Sequence, residues 1–225
     1  MASLNLIVSA LHSETPLIRR IMLASADGVP LPNFPAGAHL TVAVPDVGPR
    51  KYSLVRSTPE AAQAHPTHYT LGVRLDVDGG GGSRWMHALS VGDRVGADAP
   101  KNDFPLKAGP APVALIGGGI GITPLVSMAA ELKAAQRPFR IAYAARARAD
   151  LAFLPEIESL CEGQQTIQID AETGRFFDVE GLFRTLAPST VVYMCGPKPM
   201  LKSGMEALRA LGWPRDRLSF ELFYS

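Results

Sequence analysis

Apolar positions along the chain change their spacing near residue 106. Before it they fall in short runs of strand composition: Leu4–Val8, Ile18–Leu23, His39–Val44, Lys51–Val55, Tyr69–Leu75 and Arg94–Ala97. Turn formers separate the runs, as in Gly28-Val29-Pro30, Phe34-Pro35-Ala36-Gly37 and Asp46-Val47-Gly48-Pro49. Short strands punctuated in this way predict an antiparallel barrel or sandwich. After the Pro/Gly/Ala stretch from Lys107 to Pro112, strand and helix patterns alternate. Val113–Ile116 leads to Ile122–Ala135, Phe139–Ala145 to Pro155–Leu160, Thr166–Ile169 to Asp178–Leu186, and Val191–Met194 to Lys198–Leu211; Leu218–Phe223 closes the series. That alternation predicts a parallel sheet covered by helices. The expected architecture is two domains, an antiparallel β-barrel over residues 1–106 and an α/β parallel-sheet domain over 107–225.

Composition narrows the function classes. Hydrophobic residues make up 47% of the chain, an ordinary globular share. Lys+Arg 22 stands against Asp+Glu 21, a formal net charge of +1, so no global field draws the protein to nucleic acid or an anionic membrane. Small molecules and protein partners remain. The opening MASLNLIVSALHSE shows no basic stretch ahead of an apolar core, and a cytoplasmic protein is expected. Residues 108–130 carry no charge and have about the length of a membrane span. Gly117, Gly118, Gly119, Gly121 and the Thr123-Pro124 pair inside that stretch instead fit a strand, a tight turn and a helix. Cys161 and Cys195 form no CxxC, two thiolates are too few for an iron–sulfur cluster, and His39, His65, His68 and His87 have no ligand spacing, so no metal is expected.

Four segments carry candidate chemistry. In LIGGGIGITPLVSMA a strand runs into glycines that let the backbone approach a ligand, and Thr123 is expected to cap a helix with Pro124 in its first turn. A diphosphate suits that place, although the last position of a GxGxxG fingerprint is Ile122, and taken alone such a run is as readily a packing turn. In VVYMCGPKPML, Gly196-Pro197 make a turn at a second strand end, with Cys195 directed to the same crevice; by itself Cys195 reads as a small buried residue. Two glycine turns at two strand ends of one sheet suit an extended two-part ligand. In the first half, period-two alternation puts Arg50, Tyr52 and Leu54 on one face of a strand and Lys51 and Ser53 on the other. Finally, Gly79–Gly82 precedes Ser83, expected to cap a short helix Arg84–Leu89; the run is either a flexible link or, with the capped helix, an anion site.

In the order RKYSL, GGGGSRWMH, PKNDFPL, GGGIGITPLVSMA and YMCGPKPML, the sequence resembles the ferredoxin-reductase superfamily, and within it the phthalate dioxygenase reductase branch. The resemblance extends from about Leu6 to Phe223. It implies a flavin-binding antiparallel barrel followed by an NAD(P)-binding α/β domain, with FMN ahead of FAD and NADH ahead of NADPH. Arg50 would meet the flavin phosphate, Tyr52 would lie along the ring and Ser53 would sit near its N5, with Lys51 and Leu54 completing that strand. Gly72 and Val73 would line the ring by main chain, and Gly81, Gly82 and Ser83 would form the phosphate loop. The family commonly has an arginine where Gly80 stands, which leaves Arg50 and Arg84 to compensate. Gly117, Gly118, Gly119, Ile120, Gly121 and Thr123 match the dinucleotide loop. Cys195, Gly196, Pro197 and Met200 match the segment beside the nicotinamide, with Cys195 seating it rather than acting as a nucleophile. Phe223 matches an aromatic bordering the flavin, and Arg146 and Arg148 stand where the adenosine ribose should lie.

The branch normally continues into a plant-type 2Fe–2S ferredoxin domain, for which this sequence lacks the cysteines. The resemblance therefore implies a separate ferredoxin or Rieske-type oxygenase component as electron acceptor, or a reductase piece of a longer parent. Two alternatives stay open: a flavin or ferric reductase using flavin as a diffusing substrate, and a non-catalytic flavin-binding electron-transfer subunit.

Overall fold

The computed structural model describes residues 3–223. Its first half is one antiparallel sheet formed by β1 (Ser3–Ser13), β2 (Ile18–Ser25), β3 (His39–Val44), β4 (Gly48–Ser53), β5 (His68–Arg74) and β6 (Arg94–Asp98), with α1 (Pro59–Gln63) and α2 (Gly82–Ala88) in the connections. The strand order is β4-β3-β6-β1-β2-β5, and a bridge between Leu54 and Leu71 joins the two outer strands, so the sheet nearly closes into a barrel. Alternation explains the closure. Leu40, Val42 and Val44 of β3 and Tyr69, Leu71 and Val73 of β5 point inward, and with Leu6, Ile21, Leu23 and Val95 they fill the interior. Strand β4 ends at Ser53, two residues before the expected Val55, because Leu54 turns inward to make that bridge.

The second half is a parallel sheet ordered β11-β10-β7-β8-β9. Its strands are β7 (Val113–Gly118), β8 (Phe139–Ala145), β9 (Thr166–Ile169), β10 (Val191–Cys195) and β11 (Leu218–Glu221); its helices are α3 (Ile122–Ala134), α4 (Leu154–Cys161), α5 (Asp170–Thr173), α6 (Val179–Arg184) and α7 (Lys198–Ala210). All six residues of β7 are buried, as a central parallel strand covered on both faces requires. One face carries Ile116, Val192 and Met194, covered by Phe183 of α6 and Leu208 of α7. The other carries Leu115, Ile141 and Tyr143 under α3, and there Ile18, Ala36, Val55 and Phe104 of the barrel half join the same core. The two halves share a hydrophobic core. From β7 the chain proceeds to β8 and β9 on one side, then returns to β10 and β11 on the other, which opens a crevice beyond the ends of β7 and β10.

Candidate active site

On the barrel, β4 sends its side chains two ways. Arg50 and Tyr52 turn toward the glycine run: a methyl group on Gly82 would stand 3.0 Å from Arg50 Cγ and 3.2 Å from Tyr52 Oη. One on Gly80 would stand 3.3 Å from Arg50 Nη2, and one on Gly81 3.7 Å from Arg84 Nη2. Two guanidinium groups thus overhang the loop, with Arg84 anchored by donation to the Val77 carbonyl at 2.6 Å. Burial pushes the Tyr52 phenol up to about 12, so it stays neutral. Ser83 does not cap α2. Gly81 takes the cap position in left-handed backbone (φ 92), which a glycine adopts without strain, and the helix starts at Gly82. The Ser83 hydroxyl instead accepts from the Asp76 amide (3.0 Å) and donates to its carbonyl (3.2 Å), pinning the end of β5 to the helix.

Ser53 and Lys51 face the other way. Lys51 Nζ reaches Asp103 at 2.6 Å, whereas the Ser53 hydroxyl, 5% exposed, finds no partner. Opposite Ser53 in the ladder is His39, 2% exposed, and neither of its ring nitrogens is hydrogen-bonded. Because the next amide, Leu54, bonds the Ala38 carbonyl, Ser53 and His39 are the kind of cross-strand pair whose side chains approach most closely. Burial, reinforced by Lys51, lowers the His39 pKa and keeps the ring neutral.

At the crevice the glycines serve mainly to bring backbone together. A methyl on Gly118 would stand 2.7 Å from both Met200 Sδ and Pro197 Cδ, and one on Gly121 2.3 Å from the Cys195 carbonyl oxygen. Gly117 and Cys195 are register partners, so the predicted dinucleotide loop and nicotinamide segment lie side by side. Gly119 (φ +53) alone among Gly117–Gly121 has open space in the side-chain direction. Ile120, partly buried, packs on the shared core. Thr123 does not cap α3. A single 3-10 turn over Gly119–Gly121 leads straight into the helix, leaving Thr123 inside it, where its hydroxyl donates to the Ile120 carbonyl at 3.0 Å. Cys195 is fully buried and its thiol is pushed well up, first by desolvation and then by Glu221, as suits a neutral packing group.

The remaining predicted residues are more scattered. Val73 and Leu54 point into the barrel core, so any contact they make with a ligand is through main chain. Gly72 faces Thr123 and Phe153. Phe223 packs on the shared core. Arg146, exposed, follows β8, and the Ala171 amide bonds its carbonyl at 3.0 Å; Arg148 is engaged by Glu172 at 2.6 Å.

Residues 115–205 match the oxidoreductase NAD-binding domain family. Vanillate O-demethylase oxidoreductase of Acinetobacter baylyi is 32% identical over 99% of this chain and 69% of its own length. The chain belongs to the phthalate dioxygenase reductase-like branch of the ferredoxin-reductase superfamily. Phthalate dioxygenase reductase of Burkholderia cepacia is 37% identical over 89% of the chain, which covers 62% of that protein. A solved phthalate dioxygenase reductase, described as a modular structure for electron transfer from pyridine nucleotides to 2Fe–2S, superposes with a TM-score of 0.87 and 34% identity, covering 98% of this chain and 68% of its own. An intact type IV self-sufficient cytochrome P450 monooxygenase contains a region of the same fold, with a TM-score of 0.89 and 34% identity over 99% of this chain and 28% of that one. The chain spans about two thirds of the length of these reductases. Among the described residues no helix is long and apolar enough to cross a membrane.

Three features of this reductase fold escape the sequence reading. Glu221, register partner of Cys195, has a buried, unbonded Oε2, and burial pushes its carboxyl up to about 7. A lone acid in the apolar closing strand LSFEL is the signal that marks it. His39 lacks any motif, and only its register with Ser53 gives it meaning. The third is a polar stripe on α3. Thr123, Ser127 and Glu131, four residues apart on one helical face, meet the barrel: Ser127 donates to the Leu54 carbonyl (2.8 Å) and accepts from the Arg56 amide (2.8 Å), and Glu131 accepts from the Ala36 amide (3.0 Å).

Proposed function

We propose that this protein is an NAD(P)H-dependent flavoprotein reductase, with NADH ahead of NADPH, that passes electrons through FMN to a separate iron–sulfur acceptor as the reductase component of an oxygenase system. In this reading residues 1–106 hold the flavin and residues 107–225 the pyridine nucleotide. The carrying observation is the Ser53 hydroxyl: buried, without a partner in the chain, and next to the strand junction where Leu54 meets α3. An unpaired buried hydroxyl costs about 1–3 kcal/mol, which a ligand atom at that position removes. FMN fits the residues present. Arg50 and Arg84 offer forked donors for its phosphate over the open glycine loop, Tyr52 a neutral flat surface for its ring, and Ser53 a hydrogen bond for its N5.

When bound, the two cofactors supply the redox chemistry, a hydride moving from nicotinamide C4 to flavin N5. The chain supplies position. Gly118 and Gly121 let the β7 turn close on Cys195 and Gly196, so that both form one floor for the nicotinamide, and the neutral Cys195 thiol adds bulk without charge. Gly119 presents bare backbone to the diphosphate, and Arg146 stands beyond β8 for the adenosine ribose. The Ser53 hydroxyl and the neutral His39 ring line the N5 side, with the Lys51–Asp103 ion pair beside His39.

The similarity to reductases named for vanillate, phthalate and carnitine oxygenation supports the partner class. A second reading, flavin as a diffusing substrate, draws on Gly80, which removes one phosphate ligand. The deciding experiment is an absorbance spectrum of desalted protein followed by anaerobic additions of NADH and NADPH. A yellow protein bleached faster by NADH is expected. A colourless protein that nonetheless reduces added flavin favours the second reading, and a yellow protein bleached by neither nucleotide rules out both.

A further inference from the structure

We propose that Gly72 is a spacer at the junction of the two halves, whose missing side chain sets the separation of the barrel from the nucleotide turn and with it the hydride-transfer distance. This rests on the reductase reading above. Gly72 pairs with Arg20 across β5 and β2. A methyl group on it would stand 2.7 Å from Phe153 Cε2 and 2.8 Å from Thr123 Cγ2, where carbon atoms settle about 3.5–4.0 Å apart. Neither neighbour has room to yield. Thr123 is 2% exposed, β-branched, and fixed by its hydroxyl to Ile120. Phe153 is 1% exposed and in left-handed backbone (φ 58); its amide donates to Glu14, and the Arg20 guanidinium lies 4.5 Å from its ring centroid. Arg20 is itself held by Glu14 and Glu156. Barrel residues therefore grip Phe153 from two sides, and at Gly72 the gap between the halves is filled by backbone alone.

The contact lies on a continuous path between the two sides of the site. On the barrel, Gly72 follows Leu71, which bridges Leu54, the neighbour of Ser53. On the sheet, Thr123 stands two residues beyond Gly121, where a methyl would overlap the Cys195 carbonyl. A side chain at position 72 forces the halves apart by roughly 1 Å, and a misplacement of about 1 Å in a reacting pair costs up to ~100-fold in rate. Ser127 and Glu131, farther along the same face of α3, keep the halves joined and make the change a tilt rather than a dissociation.

Gly72→Ala in the full chain, loaded with FMN, tests the spacer. The expected result is normal flavin content and visible spectrum, an unchanged KM for NADH, and a flavin reduction rate per loaded molecule lower by about 10- to 100-fold. A readout independent of turnover is hydrogen exchange in the flavin-free protein. The Phe153 amide, which bonds Glu14 beside the new methyl, should lose protection, while the Ala36 and Arg56 amides, held by Glu131 and Ser127, and the amides inside the barrel keep theirs. Phe153→Leu shortens the ring edge and Thr123→Ser removes Cγ2 while keeping the hydroxyl, so the triple variant G72A/T123S/F153L should regain at least about threefold in rate over G72A. A rate within threefold of the parent, or protection lost throughout the barrel, overturns the proposal. Should G72A fail to fold, the triple variant, which relieves both overlaps, must fold, and its failure overturns the proposal equally. A parent protein whose flavin neither nucleotide reduces refutes the reductase reading instead, and the exchange pattern still decides the spacer.

Discussion

Two glycine-rich turns of similar composition do opposite work in this molecule. At Gly79–Gly82 the run is lined by side chains, several of them charged, and is most open at Gly80: a methyl on Gly79 would meet the Asp76 carboxylate at 2.6 Å and one on Gly82 would meet Arg50 Cγ at 3.0 Å, whereas one on Gly80 meets nothing closer than a guanidinium nitrogen at 3.3 Å. At Gly117–Gly121 the run is dry and closed, with Gly117 against Ile122, Gly118 against Met200 and Pro197, and Gly121 against the Cys195 carbonyl. Beside it, burial raises both the Cys195 thiol and the Glu221 carboxyl. Side chains added to the first turn would meet other side chains, whereas those added to the second would mostly meet a neighbouring strand end, and the ligand role proposed for the first turn rests on that difference. Glycine content alone does not distinguish these uses. The direction of each missing side chain does.

The sharpest break of the comparison is Gly121→Ala. Its methyl would lie 2.3 Å from one backbone oxygen and 2.5 Å from the attached carbon, and backbone has no rotamer with which to yield. A loss of about 3 kcal/mol or more is expected in denaturant unfolding of the flavin-free chain, large enough to lower the yield of folded protein. If Gly121→Ala instead unfolds at the parent midpoint and only nucleotide binding weakens, the closed turn is a ligand turn and the contrast fails.

Next in size is a pH effect confined to the closed side. The Glu221 carboxyl is raised from 4.5 to about 7 by burial first and by Asp103 second, with Lys51 opposing. A carboxyl raised on folding favours the protonated state, so its contribution is fully present below pH 4.5 and is lost as pH rises toward 7. With partial exposure discounted, the decline is about 2 kcal/mol. Stability of the parent should therefore fall over that window relative to Glu221→Gln, as measured by urea unfolding at stepped pH. Parallel profiles for the two proteins would show that the carboxyl is solvated. A smaller effect belongs to Gly119→Ala, where φ +53 is strained for alanine but the space is empty. It should cost only about 1–2 kcal/mol, the strain without the overlap, and a cost equal to that of Gly121→Ala would remove the distinction within the closed turn.

The two periods of the sequence are enough to place nearly every strand and the order of the two sheets, because alternation and strand–helix succession are local properties. β3, β8 and β9 begin and end where the pattern puts them. The caps are not legible. Ser83 and Thr123 have the residue types of caps, but left-handed Gly81 starts α2 two residues before the expected Arg84 and the 3-10 turn ending at Gly121 takes the cap's place at α3, and a hydroxyl one or two residues inside a helix bonds what is nearest. The junction is invisible for another reason. The partners of Ser127, Glu131 and Gly72 lie 71, 95 and 51 or 81 positions away in Arg56, Ala36, and Thr123 or Phe153, and no periodicity encodes such pairs. Glu221 and His39 fall between these cases: each is an unusual residue in an apolar strand, but only register shows which other groups it faces.

The smallest expected effects come from the open turn. Gly80 lies at ordinary φ with its side-chain direction toward the Arg50 guanidinium, so Gly80→Ala should change stability by no more than about 0.5 kcal/mol. Gly80→Arg restores a third cation over the loop. Bonds from an exposed arginine to a phosphate are charge-assisted but screened, worth about 1 kcal/mol, so FMN should bind roughly fivefold more tightly by fluorescence titration. Because the gain is electrostatic it should shrink between 50 mM and 500 mM salt, as the Debye length contracts to a few ångströms. Riboflavin, which lacks the phosphate, should bind both proteins alike. Tighter binding of riboflavin as well would mean that the arginine stacks on the ring rather than meeting the phosphate, and the phosphate role proposed for this turn would fail.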